Sequence, residues 1–154
     1  MNDDKSTCAL DYLKSAHYYA EVIHPLFIKV YEAEQTVYIG LFKKLRASKT
    51  VLMYEKIMNR ALDPISYLSV NVPLGKDKGK EYGESILLMY RLFISICESR
   101  IQVLKEFIAN GMSQKCFDIN NDSLEAIKQL DNVFESVSNK TKMLTSIFQS
   151  MGIY

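Results

Sequence analysis

The chain's two histidines, His17 and His24, bracket Glu21 at helical spacing, so an α-helix through them puts all three side chains on one face. Glu21-x-x-His24 is the carboxylate–histidine unit that helical bundles use for di-iron centres. Such a centre needs a second Glu-x-x-His and two more glutamates from facing helices. With both histidines already used, one subunit cannot complete it. A mononuclear site would have to draw on Glu34 or on another chain. Seven residues apart in the same line follow Tyr31 and Tyr38, flanking an apolar seam where half-buried amphipathic rings belong. The expectation for His17, Glu21 and His24 is therefore packing or surface duty, with no metal and no cofactor.

Covalent chemistry finds equally little support. A cysteine nucleophile needs a base within hydrogen-bond reach, usually histidine. Cys8 and His17, nine residues apart, are about 13 Å apart along a helix. Cys116 has no histidine near it in sequence, and Cys97 sits in the apolar run Ile86 to Cys97 as a small core residue. The stretch LGKDKGKEYG has Gly75 and Gly79 separated by three residues, and Lys80 is followed by Glu81. A phosphate-binding loop needs four residues there and a Ser or Thr after the lysine. No carboxylate pair is singled out by spacing. The expectation is a protein that is not an enzyme and takes no specific small molecule.

Tyrosine is the unusual signal. There are ten Tyr, seven Phe and no Trp, and Tyr12, Tyr18, Tyr19, Tyr31 and Tyr38 crowd the first helical stretch. They point in several directions round a helix, more than one core face absorbs, and Tyr is favoured at the centre of protein interfaces. Tyr12, Tyr19, Leu26, Tyr31 and Tyr38 are thus the expected partner-binding residues. A second cluster, Lys43, Lys44, Arg46 and Lys49, is followed by Lys56 and Arg60 and, later, by the loop lysines Lys76, Lys78 and Lys80. Clusters of this size can hold anionic headgroups. They also suit the end of a helix, whose dipole they complement.

Helical periodicity supplies the elements. Ala9, Leu13, Ala16, Ala20, Ile23, Phe27, Val30, Val37 and Leu41 alternate steps of three and four as a coiled-coil seam, with Glu34 the polar residue in register. The rhythm passes Pro25 in phase, which predicts one kinked helix from about Thr7 to Arg46. A second helix is expected from Ser48 to Asp63, ending at Pro64, then a short turn and a long loop from Val72 to Gly83. Glu84 to Asn110 carries the widest apolar face and is expected at the centre, stopped by Gly111. A last helix is expected from Asp122, with Glu125 completing a capping box, to Gly152.

At 154 residues, 48% apolar and 24% charged, the chain can bury a core without disulfides or metal. Six Gly and three Pro are too few for a turn-rich β fold. A net charge of +1 provides no global field for nucleic acid. The start of the chain has no apolar stretch like a signal peptide, and no segment suits a bilayer span, which predicts a cytoplasmic protein with free thiols. The composite expectation is all-α: one domain over 1–154, an antiparallel bundle of about four helices, the first long and kinked at Pro25. Its expected role is non-catalytic, as an adaptor, regulator or assembly subunit that binds a protein partner or itself as a homodimer. The alternatives are a membrane-surface scaffold using the basic end, and a metal- or ligand-binding bundle.

Overall fold

A computed structural model describes residues 2–75 and 78–153, and side chains from residue 9 onward except Lys78; Cys8, Lys76 and Lys78 therefore lie outside what is described of side chains. The order is α1 (Asn2–Tyr18), a π turn (Tyr19–Ile23), α2 (His24–Val37), α3 (Lys43–Asn71), a 3-10 turn (Val72–Leu74), α4 (Lys78–Asn110) and α5 (Gln114–Ser150). There is no strand among the described residues. The helices pack against one another as an all-α bundle. α4 touches α1, α3 and α5 and holds the centre, as its wide apolar face predicts.

The first rod runs unbroken from α1 through the π turn into α2, past Pro25, with helical backbone angles at Tyr18, Ile23 and His24. Proline has no N–H to give, and its ring crowds the carbonyl four residues back. The turn before it widens instead, and the His24 N–H bonds to the Tyr19 carbonyl, five residues away. That extra residue shifts the phase. The buried positions are Tyr12, Leu13, Ala16, Tyr19, Ile23, Phe27, Val30, Glu34 and Val37, so Tyr19 takes the place that the sequence rhythm assigns to Ala20.

The rod stops at Val37, not near Arg46, and Leu41 is 78% exposed rather than in the seam. Gly40 (φ 95°) and Phe42 (φ 58°) adopt left-handed backbone, which no right-handed helix can carry. α3 therefore starts at Lys43, ahead of Ser48. It also continues through Pro64 instead of ending at Asp63. The carbonyl that Pro64 leaves unbonded belongs to exposed Arg60, where water can take it, while buried Ala61 and Leu68 hold the helix to the core on either side.

Much of the segment expected as a long loop after Val72 is helical: Val72–Leu74 form a 3-10 turn, and α4 is already formed by Lys78. α5 begins eight residues before the expected cap at Asp122. Ser113 is the actual cap, in extended backbone, its Oγ accepting from the Cys116 N–H at 3.3 Å. Cys116 is buried against α4, which draws the helix start upstream. Gly111 (φ 72°) ends α4 and Gly152 (φ 72°) ends α5, both as expected. The first helix does not outreach the rest, because α4 has 33 residues and α5 has 37.

Candidate functional site

Glu34 sits one helical turn from Val30 and from Val37 on the inner face of α2, fully buried. Arg100 occupies the corresponding place on α4, in the heptad line Ile86, Phe93, Arg100, Phe107, and is 1% exposed. A charge so placed must be paired, because burying it alone is prohibitive. The Arg100 Nε donates to Glu34 Oε1 at 2.8 Å and Nη2 donates to Oε2. Tyr54 of α3 donates to Oε1 and Tyr38, which follows α2, donates to Oε2, both at 2.6 Å. Arg100 Nη1 reaches Asn120 Oδ1 of α5 at 2.6 Å, and the guanidinium lies 5.7 Å from the Tyr31 ring centre.

The electrostatics follow from that geometry. Burial pushes the Tyr38 and Tyr54 hydroxyls well above their ordinary range, and the adjoining Glu34 charge adds to it. Burial alone would lower Arg100, but the hydrogen bonds and charge of Glu34 outweigh it and hold the guanidinium above its ordinary value. Each Glu34 oxygen accepts two donors, which fills the four lone-pair positions of a carboxylate. A group so saturated has nothing left with which to take a proton from a substrate. The cluster ties α2, α3, α4 and α5 together, and its chemistry is that of a clasp.

The residues singled out in the sequence are scattered by the fold. His17 Nδ1 lies 3.9 Å from Glu21 Oε1 and Nε2 lies 3.2 Å from Thr145 Oγ1. His24 turns elsewhere and stacks on Phe134, ring centres 4.5 Å apart. The π turn between them breaks the shared face. Burial lowers the His24 pKa from 6.5, with Asp131 opposing. No group of three His, Cys, Asp or Glu among the described residues could hold a metal ion.

Tyr12 and Tyr19 are core residues, 2% and 0% exposed, which removes them from any contact surface of the folded chain. Tyr12 donates to the Asn71 carbonyl (3.3 Å), and Tyr19 packs edge-on against Tyr90 and Phe93. Tyr12 and Tyr19 are drawn inward because the first rod is covered by α4 and α5. Leu26, Tyr31 and Tyr38 are half-buried. Of the basic cluster, Lys43, Lys44 and Lys49 are exposed. Arg46 donates to the Ile39 carbonyl (3.0 Å) and to Thr36 Oγ1 (2.7 Å), closing the turn after α2. Buried Cys97 and Cys116 are free thiols, and burial pushes Cys97 up. Asn121-x-Ser123 and Asn139-x-Thr141, which have the spacing of N-glycosylation acceptors, lie inside α5 with Ser123 and Thr141 buried.

Directly beyond the clasp the chain makes its turn from α2 to α3, and there the surface changes character. Ile39, Leu41 and Phe42 are 74%, 78% and 75% exposed, and Leu45 beside them is also in solvent. At the same end, Met112 of the α4–α5 turn and Phe117 of the first turn of α5, both about half exposed, line a small cleft of about 150 Å³ together with Tyr38 and Asn120. Tyr38 packs edge-on against Phe107 and fixes the two turns side by side. Periodicity could not reveal this end, since Leu41 continues the three-four rhythm. The signal was Gly40 beside two large apolar residues and a run of lysine. Compared with known proteins, the chain matches no family model, no curated protein and no solved structure.

Proposed function

We propose that this chain is a non-catalytic interaction module, a small helical scaffold that engages its partner through the α2–α3 end. The observation that carries this reading is the triplet Ile39, Leu41 and Phe42, three-quarters exposed on a chain that packs most of its other aromatic rings. Exposed apolar patches of this kind on small folded proteins mark contact sites. Phe42 strengthens the case. A non-glycine residue at φ 58° costs about 1 kcal/mol or more, and strain of this kind persists at functional positions. The clasp of Glu34 and Arg100 supports the same reading, because it stiffens the base on which the turn stands.

A photo-crosslinking side chain placed at position 42, and separately at Leu62 on the exposed side of α3, tests it in the native source. Adducts at position 42 well above those at position 62 are the expected result. Equal labelling at the two positions overturns the assignment of this end.

A further inference from the structure

We infer that the α2–α3 end docks on an anionic lipid bilayer, with Leu41 and Phe42 entering the interface and Lys43, Lys44 and Lys49 lying on lipid phosphates. This rests on the contact surface proposed above and names its partner. Between Gln35 and Glu55 the chain carries Lys43, Lys44, Arg46 and Lys49 and not one carboxylate. The segment that forms the apolar tip is therefore basic although the whole chain is nearly neutral. At the adjoining end, exposed Lys105 of α4 and Lys115 of α5 are accompanied by Glu106, 3.9 Å from Lys115, and by exposed Asp118.

The residue types discriminate between partners. Protein interfaces favour Tyr, Trp, Phe, Met and Arg and are depleted in lysine, so it is the lysines that set this end apart. Here Arg46 is turned back onto its own turn, and lysines flank Leu and Phe. Lysine beside an apolar insertion is the composition of interfacial membrane contacts, where apolar side chains enter about 5–10 Å and cations stay with the headgroups. Geometry agrees. The side chains of Ile39, Leu41 and Phe42 stand about three-quarters in solvent, so the apolar groups of the turn face outward and not onto the bundle. A bilayer accepts such side chains directly, whereas a protein partner must supply a matching hollow. α3 begins at this point with no side-chain cap and no acidic residue in its first turn, so its positive end faces the same way as the lysines.

The test uses the full chain and vesicles of phosphatidylcholine with or without phosphatidylserine. The expected result is sedimentation with phosphatidylserine vesicles only, falling as salt is added. Lys43→Glu with Lys44→Glu should weaken it at least about tenfold, and Leu41→Ser with Phe42→Ser should abolish it, at unchanged circular dichroism. The chain has no tryptophan, so Phe42→Trp gives a single reporter whose emission should shift to the blue on those vesicles, while Leu62→Trp should not respond. Absence of sedimentation, equal sedimentation with phosphatidylcholine alone, or indifference to the lysine reversals each overturns the inference. A dimer in vesicle-free solution that Leu41→Ser with Phe42→Ser converts to monomer also overturns it, and assigns the end to a second copy. Protein adducts at position 42 without vesicle binding overturn the lipid partner and leave the contact surface standing. Equal crosslinking at positions 42 and 62 without vesicle binding overturns both.

Discussion

Glu34 and Arg100 meet as a forked ion pair in the core, 66 residues apart in the chain and each shut off from solvent. Removing either partner strands the other charge in the core, which costs about 3–5 kcal/mol. Glu34→Leu alone and Arg100→Met alone should each destabilise the protein by that order in urea titrations. The double variant should lie closer to wild type than either single one, and adding Tyr54→Phe should recover more, because its hydroxyl loses its acceptor. Additive losses would show that the two side chains do not act as a unit.

Among the described residues, Tyr19, Tyr38, Tyr54, Tyr82 and Tyr90 are raised above 10, each chiefly by burial, Tyr82 to about 12. The folded chain keeps these protons at pH values where the unfolded chain gives them up. Their contribution to stability is complete below about pH 10 and is lost as pH rises toward the folded values. Phenolate absorbance from these rings should grow together with the loss of helix signal, not ahead of it.

His24 works in the opposite direction. Its folded pKa is depressed below 6.5 by burial, so its contribution is present above pH 6.5 and is lost as pH falls through the depressed value. His24→Phe keeps the stack on Phe134 and should flatten the decline of the thermal midpoint on the acid side of pH 6.5.

Gly83 allows α4 to lie against Tyr12. A Cβ at position 83 would come 2.9 Å from Tyr12 Cε2 and 3.0 Å from Val72 Cγ2. Tyr12 is itself pinned in the core, so the contact cannot be relieved cheaply. Gly83→Ala should cost about 1–3 kcal/mol despite its gain in helix propensity, and the loss should shrink in a Tyr12→Leu background.

Phe42→Gly should stabilise the fold by about 1 kcal/mol, since glycine takes φ 58° freely and the exposed ring contributes little packing. The same change should weaken docking at the α2–α3 end. A variant that melts higher and still binds as well as wild type would separate Phe42 from function.

The central place of α4, the continuity of the first rod past Pro25 and the stops at Gly111 and Gly152 were legible because each rests on a local pattern. The errors share one cause. Periodicity registers where apolar residues fall, not which backbone the intervening residues can adopt, so Leu41 joined a seam that Gly40 and Phe42 had already ended. Asp122 and Glu125 imitate a cap because their spacing is right, while the burial of Cys116 against α4 is a tertiary fact. Glu34 was visible as the polar residue in an apolar register. Its partner was visible too, as the charge in the line Ile86, Phe93, Arg100, Phe107, but only the fold joins them. Tyr12 and Tyr19 misled because covering the first rod from two sides lets it bury rings that one core face would leave outside.

The π turn at Tyr19–Ile23 gives the first rod a property that the other helices lack. In regular helix, losing one residue rotates everything beyond it by about 100° and turns the inner face outward. Here one residue is already spare, and its removal restores an ordinary turn with both flanks still facing inward. Excising Ala20, with Pro25→Ala to restore the amide hydrogen, should leave a cooperatively melting bundle, whereas excising Lys29 should not. The segment is a slack link, the point at which the length of this rod can be edited without re-registering the core.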